Sequence, residues 1–213
     1  MRRRRDAARR QRGQGLVEFT LVLPILIVLI VSVGELGLIF GKMHSLGYAS
    51  REGARAGAAL ARGDKSLCVN GALDPSLVDA SLVGAMQRIL TSPDSGIDLS
   101  KVQEIRIFRA LPTGREDGGF VNRWTHVGLG NGPEIDPGPG TIRIAFAPSG
   151  TSPWPACNRQ NPASNGLYDS LGVTIRYTYD FVTPLPALLN ALSGGALTVT
   201  LSETTVMALN PTL

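Results

Sequence analysis

Residues 13–42 read GQGLVEFTLVLPILIVLIVSVGELGLIFGK, and the reading of this stretch decides the architecture. From Leu16 to Phe40 the only ionisable side chains are Glu18 and Glu35. As a helix these 25 residues extend about 37 Å, against a hydrocarbon core of about 30 Å. The segment is therefore long enough to cross a bilayer with some tilt. Arg2, Arg3, Arg4, Arg5, Arg9, Arg10 and Arg12 precede it with one acid, Asp6, and the positive-inside rule keeps such a flank in the cytoplasm. Everything after Lys42 is then expected outside, although Lys42, Arg51 and Arg55 reduce the charge contrast across the span. A cleaved secretory signal, whose apolar region runs to about 7–15 residues, and a plain signal anchor are the alternative readings.

A plain anchor leaves Glu18 unexplained. A carboxyl group inside a lipid-facing helix costs about 2–3 kcal/mol and usually marks function or a partner. If the chain is cut between Gly13 and Gln14, the new α-amino group lies one helical turn before Glu18, close enough to neutralise it. A neighbouring subunit's amine could serve equally.

Gly13 at the cleavage position, Glu18 as the fifth residue of the processed chain and Phe19 as the sixth, behind a short basic leader, resemble the type IV prepilin motif. The fuller string GQGLVEFTLVLP, the later GELG around Glu35 and the helix-borne REGAR of Arg51, Glu52, Gly53, Ala54 and Arg55 resemble the TadE-like proteins, pseudopilins of the tight-adherence pilus system. The resemblance covers about the first quarter of the chain. It departs from the family pattern at Leu36, where an aromatic often follows the second Glu. The resemblance implies a minor pilin or pseudopilin, processed by prepilin peptidase, with Glu18, Phe19 and Glu35 acting in processing or assembly. Its implied partners are other pilins and the pilus assembly machinery in the cytoplasmic membrane, and its implied roles are adhesion and surface colonisation. Major subunits of such pili are very short, so a chain of this size suits a minor or priming subunit, resident in the membrane or carried into the filament.

The 213 residues, 43% hydrophobic and 18% charged, suffice for one membrane helix and one modest globular domain. The expected division is a basic leader over 1–13, a long helix over 14–62 with its membrane segment at 16–40, and an extracytoplasmic domain over 63–213. The basic pI of about 9.4 comes from the leader. Setting aside its seven arginines and Asp6 leaves 14 basic and 16 acidic side chains, so the basic run reads as a membrane flank and no nucleic-acid partner is expected. Pro24 should kink or loosen the helix locally. Gly37, Gly41, Ser45, Ala49, Gly53, Gly57 and Ala61 recur at spacing four, a shallow row that lets another helix approach closely. Arg51, Glu52, Gly53 and Arg55 are candidate contacts along that helix, with a solvated i,i+3 ion pair as the plain alternative.

Beyond Gly63 the pattern becomes that of an α+β domain. Asp74-Pro75 reads as an N-cap and first helical residue, and Leu77, Val78, Leu82, Met86 and Ile89 form an apolar stripe ending near Leu90. Strand alternation appears over 102–109 and 141–146 and is clearest over 173–181, where Val173, Ile175, Tyr177, Tyr179 and Phe181 share one face. A turn at Thr183-Pro184, a short helix over 185–192 and the breaker Gly194-Gly195 lead to a last strand over 196–208. An antiparallel sheet with one packed and one wet face is expected. Two long loops, 128–140 and 148–166, read as exposed surface available to partners or as plain solvated loop.

Cys68 and Cys157 are the only cysteines. An even count in an oxidising compartment favours a bridge closing about 90 residues, contributing at most about 4–5 kcal/mol in the chain-entropy model; two unbridged thiols are the alternative. His44 and His126 stand apart from other ligands, so no metal or cofactor is expected. GLGNG at 128–132 does not join a strand to a helix as a phosphate loop requires, and Glu134 and Asp136 are too sparse for a calcium loop. With no nucleophile elbow and no zinc-protease motif, catalysis is not expected. The competing reading is a signal-anchored ligand-binding or enzymatic domain outside any pilus.

Overall fold

The computed structural model describes residues 2–60, 75–136, 140–159, 169–184, 186–187, 190 and 198–209, with backbone alone for 2–14 and 75–76. It divides into two compact units, one formed by Met1–Phe40 with Asp180–Leu197 and one by Gly41–Tyr179 with Thr198–Leu213. The first helix, α1 (Arg2–Leu60), contributes to both and carries Pro24 in its interior.

The larger unit is α+β. Helix α2 (Pro75–Leu90) follows the apolar stripe expected of it, with Leu82, Val83, Met86 and Leu90 fully buried. The Asp74 cap and Cys68 lie outside the described residues. Strands β1 (Val102–Ala110), β2 (Glu116–His126), β3 (Glu134–Ile135), β4 (Ile142–Arg143), β5 (Phe146–Pro148), β6 (Ser170–Tyr179) and β7 (Val199–Ala208) complete it. Five of them form an antiparallel sheet in the order β5-β2-β1-β6-β7, and β3 pairs with β4 in a separate hairpin.

Strand β6 lies inside the sheet, and its alternation explains why. Leu171, Val173, Ile175, Tyr177 and Tyr179 are buried on one face, where Ile175 and Val173 register with Ile105 and Ile107 of β1. On the opposite face Glu104 sits among Arg106, Arg123 and Arg176 at 3.0–3.7 Å, offsetting the like charges that registry places side by side at Arg106 and Arg123. That face also holds a small apolar cluster of Phe108, Ala110 and Val121. Gly172 opposite Phe108 makes room for the ring, since a Cβ there would overlap it.

Some elements differ from the sequence expectation. β2 was not anticipated, because its inward face carries Asn122 beside Trp124 and so lacks apolar alternation. The expected strand over 141–146 is two short pieces separated by Ile144 and Ala145, whose side chains are fully buried. Most of 185–192 lies outside the described residues; 186, 187 and 190 are helical. β6 ends at Tyr179, so Phe181 is not part of the strand. The loop 128–140 contains β3, whose Ile135 packs on α2 where Gly84 leaves space.

The loop after β5 is held by a buried polar network. Asp79 of α2 accepts from Arg159 Nη2 at 2.5 Å and from Asn122 Nδ2 at 2.7 Å. Asn122 also accepts from the Trp154 N–H at 3.0 Å and donates to its carbonyl at 2.8 Å, and the Arg159 guanidinium lies 4.6 Å from the Trp154 ring centre. The Arg159 side chain is 0% and that of Asp79 5% exposed. Among the described residues Arg159 Nε and Nη1 and Trp154 Nε1 have no hydrogen-bond partner, so desolvation offsets much of the Coulomb attraction and the network chiefly places the loop. After α2, Asp98 accepts from the hydroxyl and backbone N–H of Ser100, which holds its carboxyl below the usual aspartate value. That contribution is present at neutral pH and lost as pH falls through the lowered value.

Asp79→Ala leaves a buried guanidinium uncompensated, so urea unfolding of the detergent-solubilised protein should show a loss of about 3–5 kcal/mol. An Asp79→Leu, Arg159→Met double change should recover part of it. Near-wild-type stability of Asp79→Ala would mean that the pair is not buried as described.

Candidate assembly surface along the long helix

Over residues 16–40 nearly every large apolar side chain of α1 is exposed, with Leu16 at 68% and Val33 at 69%. An 18-residue window within Gly15–Leu60 has a mean hydropathy of 2.8 and is unburied. A continuous apolar surface of this extent calls for a bilayer or a partner. Glu18 and Phe19 are exposed on this surface. Gly13 and Gln14 lie in the helical backbone, with the Gln14 side chain outside the described residues.

Glu35 is different. It is 2% exposed, and its carboxyl accepts two backbone hydrogen bonds within the same unit: Val182 N–H to Oε1 at 3.0 Å and Thr183 N–H to Oε2 at 3.1 Å. The second acid of the apolar run is thus a clasp on a segment 147 residues away. Sequence reasoning assigned Glu35 to processing or assembly and gave no hint of Val182 and Thr183 as its partners. The one available signal was an absence of ionisable side chains from Phe181 to Leu197.

Past Phe40 the helix divides into two faces. Leu46, Ala49, Ser50, Gly53, Ala54, Gly57 and Ala58 are buried. Ser50 Oγ lies 2.8 Å from Thr205 Oγ1 of β7, Gly53 faces Met86, and a Cβ on Gly57 would come within 2.5 Å of Leu82 Cδ1 and 3.0 Å of Leu171 Cδ2. The small-residue row therefore packs, from Ser45 to Gly57, against the protein's own α2 and sheet. Around Gly37 and Gly41 it meets open space.

The other face carries His44, Tyr48, Arg51 and Arg55, all exposed and spaced 4-3-4 along one stripe. Arg51 lies 5.9 Å from the Tyr48 ring centre, His44 stacks on Tyr48 at 5.8 Å, and Arg55 Nε pairs with Glu52 at 3.2 Å. Alongside runs a cleft of about 610 Å³ lined by these residues with Ile89, Ser92, Asp94, Ser95 and Met207. Of the four candidate contacts, Arg51, Glu52 and Arg55 border the open cleft and Gly53 faces inward. Lys42, the first cation after the apolar run, donates to the Gly96 carbonyl and lies 3.4 Å from the Tyr177 hydroxyl.

An α+β domain joined to one long, exposed, apolar helix suggests a membrane-anchored protein. Residues 13–55 match the family model described as TadE-like protein. The match contains Glu18, Glu35 and the whole REGAR segment. No curated protein and no solved structure matches the chain.

Gly57→Leu should force Leu82 and Leu171 apart and lower stability by about 1–3 kcal/mol, read by thermal circular dichroism in detergent. Arg51→Ala, on the open face, should stay within about 0.5 kcal/mol. Equal effects of the two would contradict the assignment of faces.

Proposed function

We propose that the protein is a minor pilin or pseudopilin of a tight-adherence pilus, anchored by residues 16–40 in the cytoplasmic membrane with its basic leader inside and its α+β domain outside. The observation that carries this reading is the TadE-like match over 13–55, lying on a helix whose apolar side chains are exposed. In this reading prepilin peptidase cuts between Gly13 and Gln14, and Glu18 neutralises the resulting α-amino group in its own chain or a neighbour's. Removal of the leader leaves the membrane-facing end without its seven arginines, ready for extraction by the assembly machinery. The stripe of His44, Tyr48, Arg51 and Arg55 offers cations and flat rings to other subunits, a combination suited to acidic and aromatic contacts. The role is structural.

Mass-spectrometric sequencing of the membrane-purified protein should find Gln14, in part cyclised, at the N-terminus. A start near Glu52 would identify a secretory signal and remove the pilin reading. Glu18→Ala should still insert, because the span becomes more apolar, yet cells carrying only this version should lack pili under electron microscopy, with Glu18→Asp intermediate. Normal piliation would leave Glu18 with no part in assembly.

Cys157 is disulfide-bonded. Cys68, the other cysteine of the chain, is its proposed partner and ties the segment between α1 and α2 to the loop that Asp79 and Arg159 position. Non-reducing peptide mapping should recover one linked pair, Cys68 with Cys157. Two alkylated cysteines in protein unfolded without reductant would exclude the bridge.

A further inference from the structure

We infer that residues 181–184, at the start of the connection between β6 and β7, form a second membrane-contacting element that rests in the lipid interface. The inference depends on α1 being a membrane helix. Phe181 to Leu197 contains no ionisable side chain and includes Phe181, Val182, Leu185, Leu188, Leu189 and Leu192. Val182 is 73% exposed, an unusual position for an apolar residue held by two adjacent backbone hydrogen bonds. The segment belongs to the same compact unit as the apolar helix.

Its depth follows from Glu35. Phe40, the end of the apolar run, is five helical steps beyond Glu35, which at the helical rise is about 7–8 Å. The Val182 and Thr183 N–H groups bonded to Glu35 therefore lie at about the depth reached by interfacial apolar segments, about 5–10 Å below the surface. Non-helical backbone at that depth lacks water to satisfy its N–H groups and is tolerated only when protein supplies the acceptors. Glu35 supplies two. This also accounts for an acid near the outer end of an otherwise apolar run, since an intramembrane carboxyl is retained where it has a dedicated partner. A bilayer is favoured over a second protein copy as the covering surface because the exposed Val182 is bonded through its N–H to Glu35, within the same run as the exposed Val33, Leu36 and Phe40.

The test uses the full-length protein in vesicles of phosphatidylethanolamine and phosphatidylglycerol containing a lipid spin-labelled near the head-group end of its acyl chain. Val182→Cys, Leu26→Cys in the middle of the span and Thr113→Cys in the β1–β2 turn are each labelled with bimane without reductant, which keeps the disulfide at Cys157 intact. Fluorescence at 182 should be quenched several-fold more than at 113, and position 26 should be quenched as a membrane probe. Quenching at 26 with none at 182 would overturn the inference while leaving the span intact; quenching at neither would overturn both. Quenching at 182 that disappears as protein density rises would assign the surface to a second copy and equally overturn the proposal. Adding Glu35→Leu should reduce quenching at 182 and leave position 26 unchanged. Unaltered quenching at 182 in that variant would remove Glu35 from the explanation.

Discussion

The apolar side chains of residues 16–40 face outward around α1, and covering them is the constraint on which the rest of the structure depends. Such a helix is hydrophobic on all sides, without the polar face that would let it lie on a soluble core. Its lack of a preferred side makes it suited to lipid or to a bundle of like helices. Each polar group within it must then have a reason. Thr20 and Ser32 turn their hydroxyls back to carbonyls one turn earlier, at 2.8 and 2.7 Å, and so place no unsatisfied donor on the surface. Glu35 is occupied by two peptide N–H groups. Glu18, exposed near the opposite end of the apolar run, is where the proposed α-amino partner enters.

Beyond residue 40 the same helix changes chemistry without changing geometry. Small residues at spacing four bring Leu82, Met86 and Leu171 against its backbone, and the volume omitted from the helix is filled by large side chains opposite. This is the close packing expected of a protein interior, where a single added methyl group is felt. The opposite face, freed of any packing duty, carries the cations and rings. One helix thus serves three surfaces: an apolar one for lipid or bundle, a small-residue one for its own domain, and a polar one left open.

The α+β domain is stiffened at a different point. Asp79, Asn122, Trp154 and Arg159 come from a helix, a strand and a loop and bury one ion pair among them. Together with the disulfide at Cys157 they tie the described part of the loop after β5, at Trp154 and Arg159, to α2 and β2. Ion pairing of this kind adds little net stability once desolvation is counted, but it discriminates strongly against misplacement, because any alternative leaves a charge buried alone.

What the sequence determined by itself was whatever is written in local pattern: the length and polarity of the span, the string now matched to the TadE-like model over 13–55, the stripe of α2 and the alternation of β1 and β6. These are legible because burial on one face repeats every 2 or about 3.6 residues. Only the tertiary structure decided where isolated polar and small residues find their partners. Asn122 interrupts the alternation of β2 because its amide is satisfied by Asp79 and Trp154, far away in the chain. Gly53 and Gly57 are ordinary small residues until Met86 and Leu82 are placed against them. Glu35 reads as one more intramembrane acid until Val182 and Thr183 return to it across 147 and 148 residues. A hydrogen bond needs only one donor and one acceptor, so it leaves no repeat in the sequence, and its pairing emerges when the chain has closed.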